Sequence, residues 1–215
     1  MEPVAFVLNA DYPQRTTFLQ FPGKTACFSG HREDALPLGE TVVGYAATDL
    51  LKTLLAGCIE QAVQDGYRYF LDGLAEGVDL WAADDLIYRK QHGTEVLHLL
   101  HYVEHCEAVI TIPYQGKFSF LRRNDYMLEH SWRLICVIHK TSGGTAYTLK
   151  RAIRERKEIA CISMENRDLL FQFAMHFLET EEKVPQTAAE RFAYYHGHPE
   201  RLRLCQSLLK RYAKW

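Results

Sequence analysis

The stretch with the most chemistry in it is Thr141-Ser142-Gly143-Gly144-Thr145-Ala146-Tyr147-Thr148. Two adjacent glycines let a backbone turn sharply and approach a ligand closely. A helix that starts here offers unpaired N–H groups and the positive end of its dipole, the arrangement that holds a phosphate. Ser142, Thr145 and Thr148 add hydroxyls. The same residues would also make a plain strand-to-helix turn. Arg32 carries a planar fork that pairs with two phosphate oxygens, unless a surface salt bridge occupies it. His31 beside it would position or protonate a phosphate, or hydrogen-bond backbone within a turn. Glu76 and Asp79 are placed to hydrogen-bond a ribose, and Asp79 alternatively N-caps a following helix. These two, with Asp72, are the available general acids or bases. Arg122, Arg123 and Asn124 lie on a helical pattern and face either the ligand or solvent.

Such residues need elements to hold them. Residues 132–138 are an apolar run just before the Gly-Gly turn, and a helical pattern covers 149–156 just after it. Strand, glycine turn, helix is the pattern of a parallel α/β unit. Residues 24–29 form another short strand, broken by Gly30-His31-Arg32. Apolar residues then recur at helical spacing over 44–65, until Asp65-Gly66 stops them. Residues 67–71 are an aromatic-rich strand that breaks at Asp72-Gly73, with Gly77 close behind and a helix over 79–91. Residues 94–107 read either as a helix or as a strand followed by a helix. A strand over 108–112 ended by Pro113, a helix over 118–130 and a last strand over 158–162 complete the alternation. The pattern predicts an α/β, Rossmann-like, doubly wound and mainly parallel sheet of roughly four to five strands, with helices on both faces. Its strands all end at one carboxyl edge, where ligands bind in such sheets. Gly30, His31, Arg32, Asp72, Gly73, Gly77, Ser142, Gly143, Gly144 and Thr145 are therefore expected to line one cleft.

A chain of 215 residues with 47% hydrophobic content supports one substantial core with an appendage. A formal net charge of -2 gives no electrostatic footprint for nucleic acid. No apolar run reads as membrane-spanning, and no basic flank with an apolar segment marks a leader. The expected location is the cytoplasm. Cys27, Cys58, Cys106, Cys136, Cys161 and Cys205 form no C-x-x-C pair, and those within strand-like runs read as buried thiols. His92, His98, His101 and His105 lack the framing carboxylate of an H-E-x-x-H motif, so no metal is expected.

Four motifs stand in order: Phe28-Ser29-Gly30-His31-Arg32, Asp72-Gly73-Leu74-Ala75-Glu76-Gly77-Val78-Asp79-Leu80-Trp81, Arg122-Arg123-Asn124-Asp125-Tyr126-Met127, and Ser142-Gly143-Gly144-Thr145-Ala146-Tyr147-Thr148. In this they resemble the YpsA-like branch of the SLOG superfamily of Rossmann-like domains, over about residues 24–162. The resemblance implies binding of nucleotides or nucleotide-derived ligands, often in a sensing role. Relatives include a DNA-processing protein and phosphoribohydrolases that release cytokinin bases. The sequence departs from the branch in two places. Between Gly93 and Glu107 it is shorter, without a strand and a proline-rich aromatic loop. After the Gly-rich turn, where hydrolase relatives carry an acid, it reads Thr148-Leu149-Lys150-Arg151.

Beyond residue 162 the pattern turns helical, over 168–178, 187–195 and 200–212, with a capping-box signature at Thr187 and Glu190. Leu202, Leu204, Leu208 and Leu209 form an apolar stripe that must pack on the sheet domain or on a second copy in a homodimer. The expected organisation is an arm over 1–23, a Rossmann-like domain over 24–163 and a helical extension over 164–215. The expected function is a sensor of a nucleotide or an ADP-ribose- or NAD-like small molecule, binding without turnover. The alternative is an N-glycosidic hydrolase of nucleoside monophosphates. Neither nucleic acid nor membrane is an expected partner.

Overall fold

The computed structural model describes residues 22–92, 97–99, 118–180, 182–203 and 209–210. Its strands are β1 (Thr25–Gly30), β2 (Tyr69–Leu71), β3 (Leu97–Leu99), β4 (Arg133–Ile138), β5 (Glu158–Ser163) and β6 (Leu209–Lys210). They form one sheet in the order β3-β2-β1-β4-β5-β6. The first five are parallel, and β6 runs antiparallel to β5. The helices are α1 (Val42–Gln64), α2 (Val78–Gln91), α3 (Ser119–Glu129), α4 (Gly144–Arg154), α5 (Arg167–Glu179) and α6 (Ala188–Tyr195).

Both faces of the sheet are covered, so the strands read as continuous apolar runs. On one face Phe28, Phe70, Ile135, Val137 and Ile162 pack against Leu50, Leu54 and Leu55 of α1, Leu86 of α2 and Leu170 of α5. On the other, Cys27, Leu71, Leu134, Cys136 and Cys161 meet Met127 and Leu128 of α3 and Leu149 and Ala152 of α4. Cys27, Cys136 and Cys161 are buried thiols, as expected, and Cys58 of α1 is buried too. The chain leaves β1 toward one face and β4 toward the other. Those adjacent strands mark the topological switch point of a Rossmann-like sheet, outside whose carboxyl ends a crevice opens.

Local signals start the helices. Thr41 caps α1 by accepting the Gly44 N–H at 3.0 Å. Thr187 and Glu190 form the expected capping box of α6. By length and composition α1 could cross a membrane, contrary to the expectation that no such run exists. Here 67% of its apolar window is buried, which makes it the core helix of this fold.

The ambiguous stretch holds a strand, β3, parallel to β2. The helix after the Gly-Gly turn begins at Gly144 itself, five residues ahead of the apolar pattern, because its first turn is polar. The last helix, expected over 200–212, is corrected at its end: Leu202 and Arg203 are helical, but the helix stops before residue 209. A 3-10 turn covers Pro199–Arg201, and Leu209–Lys210 is strand. Leu209 pairs with Ile162 and covers the outer edge of β5. An unpaired sheet edge outweighs a local leucine stripe. The arm up to residue 21, the strand over 108–112, and His101 and His105 lie outside the described residues.

Candidate functional site

Each turn at the carboxyl edge is built differently. After β1 the chain must pass beneath the start of α2. A Cβ on Gly30 would sit 2.2 Å from the Val78 Cβ. Gly77, at φ +91, faces the His31 carbonyl, which a Cβ would meet at 2.6 Å. A Cβ on Gly73 would meet the Arg123 guanidinium carbon at 2.7 Å. At these three positions the missing side chain makes room for protein atoms rather than for a ligand.

Two acids of the 72–79 loop, Asp72 and Asp79, are likewise turned inward. Asp72 is fully buried and accepts the Leu74 N–H at 2.8 Å. Asp79 is 2% exposed and accepts N–H bonds from Ala75 and from Gly30 of β1. It sits inside the first turn of α2, whose N-cap is Gly77. It therefore neither caps the helix nor reaches a ribose. Burial raises the pKa of both carboxyls, and the charge of Asp79 raises that of Asp72 further. Glu76 is exposed and lies 3.9 Å from Arg32, which is also exposed. That separation and exposure make a surface pair worth little, so the Arg32 fork stays available.

His31 hydrogen-bonds backbone, the second of its two readings: Lys140 N–H donates to its Nε2 at 3.3 Å. This bond spans the crevice between β1 and β4 and requires the unprotonated nitrogen. Burial, then the neighbouring His139 and Lys140, lower the His31 pKa from 6.5. Their mutual repulsion favours the neutral ring.

The β4–α4 turn is open. Thr141, Ser142, Gly143 and Gly144 are exposed. Gly143 has φ +93, and a Cβ there would meet nothing within 4 Å. The nearest atom to a Cβ on Gly144 would be Asn124 Nδ2, at 3.8 Å. Gly143 is the N-cap of α4 and offers no side chain to the first-turn N–H groups. Thr145 is buried and turned away from this surface.

A relay that sequence reasoning missed supports the turn. Arg123 donates to the Gly73 carbonyl and, at 3.3 and 3.1 Å from its Nε and Nη2, to Asn124 Oδ1. Asn124 Nδ2 donates to Thr148 Oγ1 at 2.9 Å, and Thr148 donates to the Gly144 carbonyl at 2.9 Å. Arg123 and Asn124, expected at the ligand, instead tie the end of β2 to the start of α4 through α3. An arginine-asparagine pair one helix ahead of a Gly-Gly-Thr turn was the only signal of it. Exposed aromatic rings frame the same area: Phe118 and Phe120 at the start of α3, 57% and 56% exposed, and Tyr147 on α4, 40% exposed. Arg123 lies over the Phe120 ring at 5.6 Å, and the Tyr147 hydroxyl donates to Asp125 of α3 at 3.3 Å.

The ten residues expected in one cleft thus share one edge but not one surface. Arg32, Glu76 and Gly77 line a groove of about 560 Å³ with Lys52, Trp81 and Asp84 on the α1–α2 side. Ser142, Gly143 and Gly144 open on the α3–α4 side. Among the described residues no cluster of histidine, cysteine or acidic side chains could hold a metal.

No family model and no curated protein matches the chain. Among the solved structures that resemble it are two forms of one protein. One is DNA processing protein A from Streptococcus pneumoniae, with 17% identity and a TM-score of 0.44, covering 82% of this chain and 62% of that one. The other is DNA processing protein A from Helicobacter pylori, described for its single-stranded DNA binding mode, with 16% identity and a TM-score of 0.43, covering 76% of this chain and 84% of that one. The chain thus spans less than two thirds of the first protein's length. At this identity the likeness is one of fold. Both neighbours are described as DNA processing proteins, one of them for binding single-stranded DNA, and this runs against two expectations: the small-molecule nucleotide sensor with its hydrolase alternative, and the absence of a nucleic-acid partner. The expectation of no nucleic-acid partner rested on net charge alone. A net charge of -2 averages the whole chain, whereas Arg32, Arg122, Lys140 and Lys150 are all exposed near one edge of the sheet.

Proposed function

We propose that the carboxyl edge on the α3–α4 side binds single-stranded nucleic acid. A backbone phosphate sits at the Gly143-Gly144 turn, and neighbouring bases stack on Phe118, Phe120 and Tyr147. The observation that carries the proposal is the juxtaposition of an uncapped helix start with exposed aromatic rings. Proteins that bind single strands without strict sequence choice combine a cationic track for the backbone with rings on which bases stack. The first-turn N–H groups of α4 and its dipole attract the phosphate. Lys140 and Arg122 supply charge beside it, and Lys150 fastens the loop through its bond to the Thr141 carbonyl at 3.1 Å. The relay from Gly73 to Gly144 holds the turn in place before a ligand arrives. The four motifs in their order support a place in the SLOG superfamily, within its YpsA-like branch.

Fluorescence anisotropy with a labelled oligothymidine and with a duplex of the same length tests this. The single strand should bind more tightly. Its affinity should fall with salt, with a log–log slope of about -1.4 to -2.1 for two or three neutralised phosphates. Phe120→Ala should weaken binding by about 1–3 kcal/mol, the value of one base–aromatic stack. Equal binding of duplex and single strand, or an unchanged Phe120→Ala variant, would refute the proposal.

A further inference from the structure

We infer that Asp72 and Asp79 share one proton between Asp72 Oδ2 and Asp79 Oδ1, and that this proton latches the 72–79 loop onto the end of β2. Both carboxyls are nine-tenths buried or more. They bracket the same dipeptide: Asp72 Oδ1 takes the Leu74 N–H at 2.8 Å, and Asp79 Oδ2 takes the Ala75 N–H at 3.4 Å. That leaves Asp72 Oδ2 and Asp79 Oδ1, both buried and without a hydrogen-bond partner among the described residues. A buried oxygen left unpaired is costly. One proton satisfies both, as a donor on one carboxyl and a bond accepted by the other.

The surrounding charges agree. Asp72 feels Asp79 and Asp84 of α2, and Arg123 of α3. Asp79 feels Arg123 and is bonded by the Gly30 N–H of β1. The Cys27 thiol of β1 also faces Asp79, but burial pushes it up to about 12 and it carries no charge. Two ionised aspartates against one arginine leave a net negative charge in a buried place, whereas one shared proton makes the trio neutral. Like charges held together do not both ionise, and such a pair titrates as a unit. Leu74 is held at φ +54, a conformation that a leucine adopts only under constraint. The two carboxyls supply that constraint. When base removes the proton, the O–H bond breaks, its electron pair stays on the carboxyl oxygen and the proton passes to water. Two carboxylates then repel across the loop and release the Leu74 and Ala75 N–H groups. Arg123, which also holds the Gly73 carbonyl, couples this loop to the relay reaching Gly144.

Carboxyl-¹³C aspartate NMR of the full chain tests the latch from about pH 2 to about pH 9, a range that spans the ordinary carboxylate and histidine values. One carboxyl of the Asp72–Asp79 pair should remain protonated at neutral pH, long after the exposed aspartates have ionised. Asp72→Asn and Asp79→Asn assign the signals. Exchange of the Leu74 and Ala75 amide protons should speed up at high pH beyond the ordinary hydroxide dependence. In Asp79→Asn it should keep that ordinary dependence, since the amide donates permanently where the proton sat. If both carboxyls titrate with the exposed aspartates, no proton is shared and the inference is overturned. The wild-type spectrum decides this even where a variant does not fold.

Discussion

Where β1 ends against α2, a methyl group on Gly30 would meet Val78 at 2.2 Å, and one on Gly77 would meet backbone at 2.6 Å. Where β4 ends against α4, a methyl group on Gly143 would meet nothing within 4 Å. Both junctions lie at one sheet edge, and the turns that build them, β2–α2 and β4–α4, both read in sequence as strand, glycine turn, helix. The first uses its glycines to bring a strand end and a helix start into contact, and its acids turn inward. The second leaves its glycines in solvent, with the helix start uncapped and aromatic rings beside it. A glycine turn therefore marks a ligand site only where the space beside it stays empty. The tertiary packing of α2, not the motif, decides which junction that is.

The comparison breaks most readily at the closed junction. Gly30→Ala and Gly77→Ala should each cost about 3 kcal/mol or more, at the upper end of overpacking penalties. Val78 has no free end to swing aside, and Gly77 meets main chain at positive φ. Urea unfolding measures this, and a change within the ordinary scatter of surface substitutions would mean that the junction relaxes. Next comes the support of the open junction. Asn124→Ala strips Arg123 of one acceptor and Thr148 of its donor, and should cost about 1–3 kcal/mol for buried groups left unpaired. It should weaken oligonucleotide binding without touching the ligand. Gly143→Ala sharpens the contrast: nothing obstructs the methyl, so only the backbone, at φ +93 and ψ -174, opposes it, by about 1–3 kcal/mol.

The smallest expected effect is the pH dependence of the bridge between the two junctions. His31 accepts from Lys140 only when neutral, and its folded pKa lies below the ordinary 6.5. Its contribution is therefore complete above 6.5 and is lost as pH falls through the folded value. The loss should amount to about 1 kcal/mol or less, the net value of one hydrogen bond. Thermal melts on either side of this range should show it in the wild type. His31→Gln, whose amide oxygen accepts the same bond, should not.

The sheet was legible because its signals are local and repeated. Apolar runs such as Leu134-Ile135-Cys136-Val137 end in turn residues, and α1 shows continuous helical spacing. Alternation then dictates a parallel sheet whose turns share one edge. What was not legible depends on distant partners. Leu209 became strand because β5 had an open edge. Asp79 looked like a cap or a ribose ligand, and its partners are Ala75 and a glycine at the end of another strand. Arg123 and Asn124 looked like ligand residues because both are polar, and only the packing of α3 across α4 showed whom they bind. Net charge has a related limit, since a sum over 215 residues does not report a local surface.

The central claim is that the open junction holds a nucleic-acid phosphate. Gly144→Asp tests it most directly. A Cβ there makes only an ordinary 3.8 Å contact with Asn124, and an acid in the first turn of a helix favours the helix dipole. The variant should therefore melt like the wild type while placing a negative charge where the phosphate belongs. Anisotropy titrations of both proteins with the same labelled oligothymidine at low salt should show at least about a tenfold loss of affinity, or 1.4 kcal/mol. A Gly144→Asp protein that folds and binds the single strand as tightly as the wild type would contradict the account.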